Sequence, residues 1–239
     1  MPAFEISDEL LFLLITVLDL TVMLICWKAG RRWLELFVVL NYIFAFTGVV
    51  KFTEIMGYSV TVGSVFYAAI FLGTDIITEH YGKRAGFQMV WKVFFGTTAL
   101  MIAQQLMLLL SHTPETQVAS DAMDALYATG PRLVAAGVVV FLFVQRFDIW
   151  FYHWIHKKTQ GKMLWLRNIA STTCSQFIDS ILFFSLAFYG VMPNDILIEV
   201  MVVAFVMKFI VALADTPFIY LSYWIKGKKL SEAKHIPEA

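Results

Sequence analysis

Residues 196–224 read ILIEVMVVAFVMKFIVALADTPFIYLSYW. A helix that crosses a bilayer needs about 20 mainly apolar residues, and this run exceeds that length. It is too long for a strand and shows no alternation, so the strand reading fails. Six more segments of the same kind precede it, at approximately 10–27, 33–52, 58–78, 87–110, 132–154 and 169–189. Together the seven occupy most of the 239 residues and leave little for a soluble domain. The expected fold is all-α: a polytopic membrane helical bundle of seven transmembrane helices, with residues 1–239 as a single integral membrane domain.

Composition agrees. Hydrophobic residues make up 59% of the chain and charged residues 15%, against about 25% charged in a soluble domain. The mean hydropathy is +0.73. Long disordered tails, collagen-like repeats and disulfide scaffolds are excluded. Eighteen basic residues balance eighteen acidic ones, so nothing in the net charge points to a nucleic-acid partner. Cys26 and Cys174 both lie in apolar segments, which argues against a structural disulfide. The N-terminal stretch lacks a positive region and does not read as a cleavable signal peptide.

Charge in the connections predicts the orientation. Lys28, Arg31 and Arg32 follow the first segment, and Lys83 and Arg84 the third. Lys157, Lys158, Lys162 and Arg167 follow the fifth, and Lys226, Lys228, Lys229 and Lys234 the seventh. These are thirteen of the eighteen basic residues, all on alternate connections. Basic residues concentrate in cytoplasmic loops, so the N-terminus is expected outside and the C-terminus inside. The loop 111–131 is mildly acidic and is expected to carry a short surface helix. The basic loop 156–167, with Trp165, is expected to lie along anionic membrane lipid.

Ionisable side chains within spanning helices each cost roughly 2.5–3.5 kcal/mol on insertion. This chain has Asp19, Glu35, Asp75, Asp148, Asp179 and Asp215, with Lys92, Arg146 and Lys208. They must face one another or a polar cavity. Glu35 and Lys92 sit near cytoplasmic ends and can snorkel, which makes them structural. In the sixth segment Asn168, Thr172, Ser175, Gln176 and Asp179 share about 100° of the helix circumference. Small polar residues also join helices, which accounts for Thr172 and Ser175 but less easily for Gln176 and Asp179. Lys208 and Asp215 share a face about 10 Å apart along the seventh helix, and either pair or bind ligand groups. Pro217 marks a place where that helix bends or opens.

The third segment ends GTDIITEHYG, residues 73–82. Asp75 and Glu79 are four apart, on one face, at the expected cytoplasmic mouth. Carboxylates at a helix C-terminus oppose its dipole, so the pair needs a cation, a proton or a partner such as Arg146 or Arg167. Gly82 is placed to end the helix in a left-handed cap.

These residues carry a resemblance. Thr74-Asp75, Glu79 and Tyr81-Gly82-Lys83 resemble a hallmark of the queuosine precursor transporter family, also called the vitamin uptake transporter family. A second stretch is similar too: Asp148, Gly161, Trp165 to Asn168, Ser171, Ser175-Gln176 and Asp179. Asn41, Lys51, Gly57 and Gly63 fit upstream, and Lys208, Thr216-Pro217 and Tyr220 downstream. The resemblance covers about residues 41–220. It implies a fold similar to the substrate-binding subunits of energy-coupling-factor vitamin transporters. It also implies inner-membrane uptake of 7-cyano- and 7-aminomethyl-7-deazaguanine, the precursors of a tRNA modification. The expected substrate-contacting set is Asn41, Asp75, Glu79, Asp148, Asn168, Gln176, Asp179, Lys208 and Asp215. A carboxylate accepts the donors of a guanine-like edge, an amide serves its carbonyl, and aromatics stack on the ring.

No catalytic residue, metal ligand or cofactor is expected. The chain lacks a phosphate-binding Gly-rich loop, so it does not itself hydrolyse ATP. The working expectation is a self-sufficient carrier, the alternative being a binding subunit that requires a separate ATPase module, and a homo-oligomer is compatible with both. An intramembrane enzyme is the alternative from another class. His153 and His156 are close in sequence, but a metal enzyme wants three or more converging ligands. A receptor-like or structural subunit shares the topology but gives no reason for carboxylates at mid-depth.

Overall fold

The computed structural model describes residues 7–49, 51–127, 130–191 and 193–226. Lys228, Lys229, Lys234, His235 and the first six residues lie outside them. Each of the seven apolar segments contains one long helix. These are α1 (Asp8–Ala29), α2 (Arg31–Gly48), α3 (Gly63–Tyr81), α4 (Lys83–Leu108), α6 (Gly130–Lys158), α7 (Leu164–Phe188) and α8 (Asn194–Ile225). The expected surface helix is α5 (Gln117–Tyr127), which follows a short 3-10 turn and has no buried residue. α8 runs through Pro217 without interruption.

The all-α expectation needs one correction. β1 (Phe52–Ile55) and β2 (Tyr58–Thr61) form an antiparallel hairpin between α2 and α3, with Ile55 opposite Tyr58. Met56 and Gly57 both have positive φ, 51° and 82°, as a two-residue primed hairpin turn requires. Phe, Thr, Ile, Tyr and Val suit a strand. The strands were hidden because β2 reads as the head of the third apolar run, while β1 shares only Phe52 with the second and otherwise reads as a short connection. The hairpin anchors the start of α1: the Thr53 hydroxyl donates to Asp8, and the Met56 N–H to Glu9 at 3.4 Å.

The connections at the opposite end are tight. Gly30 alone separates α1 from α2, and Gly82 alone separates α3 from α4. Gly82 adopts φ 87°, ψ 171°, so it departs from the expected left-handed cap while still needing a positive φ; its N–H caps the Thr78 carbonyl. Arg167 was expected in a basic loop. α7 instead begins at Leu164 and carries Arg167 wholly buried.

α3 is the central element, buried along nearly its whole length. The most extensive pairings are α6 with α7, α2 with α3, α7 with α8, and α3 with α8. Close approach of α2 and α3 depends on small residues. A Cβ on Gly48 would lie 3.0 Å from the Gly63 Cα, and one on Gly63 would meet the Ala45 carbonyl oxygen.

The polarity is inverted relative to a soluble protein. Leu10, Leu13, Leu18 and Ile25 of α1 and Phe143 and Trp150 of α6 are exposed, as are Val202, Val206 and Ile210 of α8. Asp75, Asp148, Arg167, Gln176 and Asp215 are buried. Lipid is the solvent that makes such a surface stable. Five helices, α1, α4, α6, α7 and α8, are long and apolar enough to cross a membrane. The protein is thus a multi-pass membrane protein.

Candidate functional site

Every residue of the polar face of α7 lies inside the bundle. Asn168, Thr172, Ser175, Gln176 and Asp179 are all buried, because their three- and four-residue spacing keeps them on one side of the helix. They meet partners from α3, α6 and α8 at successive depths.

Nearest the hairpin lies a cavity of about 410 Å³. Its walls are largely apolar and aromatic, with Tyr42, Phe183, Phe184 and Phe188 among them, and the hairpin contributes Phe52 and Val60. Ser59, Thr61 and Ser64 also line it, and its charged groups meet at Asp179. The Tyr67 hydroxyl donates to Asp179 Oδ1 at 2.7 Å, and Lys208 is ion-paired with Oδ2. The Lys208 ammonium also sits 4.9 Å from the Tyr67 ring centroid. An apolar cavity of a few hundred Å³ with a few converging polar groups is the usual form of a small-molecule site.

A layer of carboxyl groups lies deeper. Asp75 on α3 meets Asp148 on α6 side chain to side chain. The Thr172 hydroxyl donates to Asp75 Oδ2 at 3.4 Å, and Ser175 to Asp148 Oδ1 at 2.8 Å. Asp215 on α8 lies in electrostatic range of Asp75 and of Asp19 on α1, and Asn41 is a hydrogen-bonding neighbour of Asp19. Several buried atoms here have no hydrogen-bond partner: Asp75 Oδ1, Asp148 Oδ2, Asp215 Oδ1, Asn168 Oδ1 and both amide atoms of Gln176.

Deepest is Glu79. Arg167 and the Tyr223 hydroxyl both reach its Oε1, and the Tyr152 hydroxyl donates to Oε2 at 2.6 Å. Arg167 also donates to the Tyr152 oxygen and to the Gly161 carbonyl, each at 3.1 Å. Nearby, Trp27 Nε1 donates to the Ser222 carbonyl at 2.9 Å, and His80 and Ser222 share a hydrogen bond.

The nine expected contact residues therefore separate. Asp179 and Lys208 line the cavity. Asn41, Asp75, Asp148, Asn168, Gln176 and Asp215 are buried outside its lining, and Glu79 lies in its own network. Asp75 and Glu79 are not at an open mouth, since both are almost fully covered. Glu79 takes Arg167, one of the two expected partners, while the Arg146 guanidinium lies 5.3 Å from the Phe87 ring centroid. Lys208 pairs with Asp179 and not with Asp215, because two helical turns separate Lys208 from Asp215 whereas α7 brings Asp179 alongside. Glu35 is held by Lys92 at 2.5 Å and Arg31 at 2.8 Å, in keeping with its structural assignment. Four tyrosines were missed: Tyr42, Tyr67, Tyr152 and Tyr223. Within an apolar run a tyrosine reads as one more hydrophobe.

Comparison with known proteins gives two findings. The family described as "Putative vitamin uptake transporter" matches residues 61–222. A relative from Bacillus subtilis (strain 168), named "Probable queuosine precursor transporter", is 29% identical over 206 residues, covering 85% of this chain and 90% of the relative. No solved structure matches.

Proposed function

The chain belongs to the vitamin uptake transporter family, and from that premise we propose that it imports 7-deazaguanine bases, the 7-cyano and 7-aminomethyl precursors of queuosine. The observation that carries this is the aromatic cavity with Asp179, Lys208 and Tyr67 in its lining. A guanine-like edge presents a ring N–H beside an exocyclic amine, two donors that match the two oxygens of one carboxylate. Its carbonyl accepts from an ammonium such as Lys208. A flat bicyclic ring stacks against Tyr42, Tyr67 or the phenylalanines of the wall.

In this reading the protein lies in the inner membrane with seven crossings, N-terminus outside and C-terminus inside. α2 and α3 are the two crossings that composition alone does not declare. α3 has 19 residues, which span about 28 Å at 1.5 Å each, close to the bilayer core of about 30 Å. Its polar groups are buried against other helices, so it need not be apolar itself. The cavity then faces outward, and the Glu79–Arg167 network closes the inner side. The test is uptake of labelled 7-cyano-7-deazaguanine by cells that cannot make it, with and without this gene. Uptake and queuosine in tRNA are expected to return with the gene and to fall with Asp179→Asn. No restoration by the wild-type gene would sink the substrate assignment.

A further inference from the structure

The interior holds more acid than base. Asp19, Asp75, Glu79, Asp148, Asp179 and Asp215 are all buried. Arg167 neutralises Glu79, and Lys208 neutralises Asp179. Among the described residues no ion pair reaches the other four. Two of these, Asp75 and Asp148, are neighbouring carboxyl groups, reached by Thr172 at 3.4 Å and Ser175 at 2.8 Å from the same face of α7. Two carboxylates cannot stay in contact while both are ionised and away from water, so such a contact is made through a proton.

The groups facing this pair come from every packed element. Around Asp75 they are Glu79 with its Arg167 partner, Tyr152 from α6, Thr172 from α7 and Asp215 from α8. Around Asp148 they are Ser171, Cys174 and Ser175 from α7. Asp19 from α1 and its neighbour Asn41 from α2 lie beyond Asp215. From α4, Lys92 is taken up by Glu35 at 2.5 Å. Cys174 is exposed on α7. A second observation is independent of the acids. Gln145 takes the Thr74 hydroxyl at 3.3 Å, beside Asp75, yet its Nε2 has no partner. Gln176 is 0% exposed and has neither amide atom bonded, one turn from Thr172 on the face turned to Asp75. Unpaired buried amides are costly, so these two leave donors and acceptors beside the carboxyl pair that can serve it in a second arrangement.

We propose that the Asp75–Asp148 pair is a proton-binding site, distinct from the base-binding cavity, that couples H+ entry to substrate import. The proposal rests on the transport reading above. The contact joins α3 to α6, while α3 packs mainly with α2 and α8 and α6 with α7. With the proton bound, the two carboxyl groups hold these helices together. Without it, two like charges in contact drive them apart. Ser175, bonded to Asp148, is one turn below Asp179 on the same helix, so the motion reaches the cavity. Each cycle takes one H+ onto a carboxylate from the outer side and releases it to the inner side, and no other bond changes. Asp215 and Asp19 continue the carboxyl track toward α8 and α1. A proton fits better than a metal ion, since among the described residues no group of three or more His, Cys, Asp or Glu is arranged to hold one.

The test uses purified full-length protein in proteoliposomes with labelled 7-cyano-7-deazaguanine. Counterflow without a gradient reports exchange; an acid-outside gradient reports coupling. Wild type is expected to exchange and to accumulate substrate against its gradient only when the outside is acidic. Asp148→Asn is expected to exchange without responding to the gradient, and Asp148→Glu to regain the response. Exchange by wild type with no pH response, or accumulation driven by sodium instead, overturns the proton site and leaves the transport reading standing. Absence of wild-type exchange overturns the transport reading, and coupling with it. A substrate-free check is the infrared band of a protonated carboxyl group. A component of that band is expected to be present in wild type and lost in both Asp75→Asn and Asp148→Asn, with the part due to Asp19 and Asp215 remaining; no difference between wild type and both variants removes the shared proton.

Discussion

At Glu79 one carboxylate receives Arg167 and two tyrosine hydroxyls, all buried. Removing one partner of such a pair leaves a charge in a medium that cannot solvate it. Arg167→Ala is therefore expected to destabilise the protein by about 3–5 kcal/mol, seen as a lower Tm in detergent. The double variant Arg167→Met, Glu79→Gln is expected to recover much of that loss, because no charge is then left unpaired. In the cavity, Tyr67 orients Asp179 with a bond to a charged group. Tyr67→Phe is expected to weaken substrate binding roughly tenfold in an uptake assay, with little change in Tm. The charged members of these networks were visible in the sequence, because Asp, Glu, Lys and Arg are conspicuous in apolar runs. The tyrosines were not, since a ring with one hydroxyl adds to the apolar signal that defines a spanning segment.

Among the elements, the helix positions were legible and the hairpin was not. An apolar run of twenty residues has one economical conformation in lipid, whereas a strand of four merges into its neighbours. The Met56-Gly57 turn carries the only local signal, a glycine bounded by β-forming residues. A Cβ on Gly57 would meet nothing within 4 Å, so Gly57→Ala is expected to cost only the left-handed conformation, about 1 kcal/mol, and to leave helix content by circular dichroism unchanged. Gly63→Val should be far more damaging. Its side chain would strike the α2 backbone at Ala45 and Val49 and separate two helices that pack closely. The expected readout is loss of folded, monodisperse protein on size exclusion in detergent.

For the whole molecule, the orientation can be read with cysteines. Cys26 and Cys174 are free and can be replaced by serine. A new cysteine at Ala119→Cys in α5 should then react with an impermeant maleimide added to intact cells, and Lys162→Cys between α6 and α7 should not. The reverse pattern would refute the assigned topology. By itself the sequence determined that this is a bundle of long helices with polar side chains inside. Apolar runs of that length satisfy their backbone only as helices, and buried charges must turn away from lipid. Only the tertiary structure decided which acid meets which base. Lys208 shares its helix face with Asp215 yet takes Asp179 from α7, and Asp75 meets another carboxyl group from α6. Spacing along one helix sets which residues share a face; the distance to a neighbouring helix, which selects the partner, is set by packing.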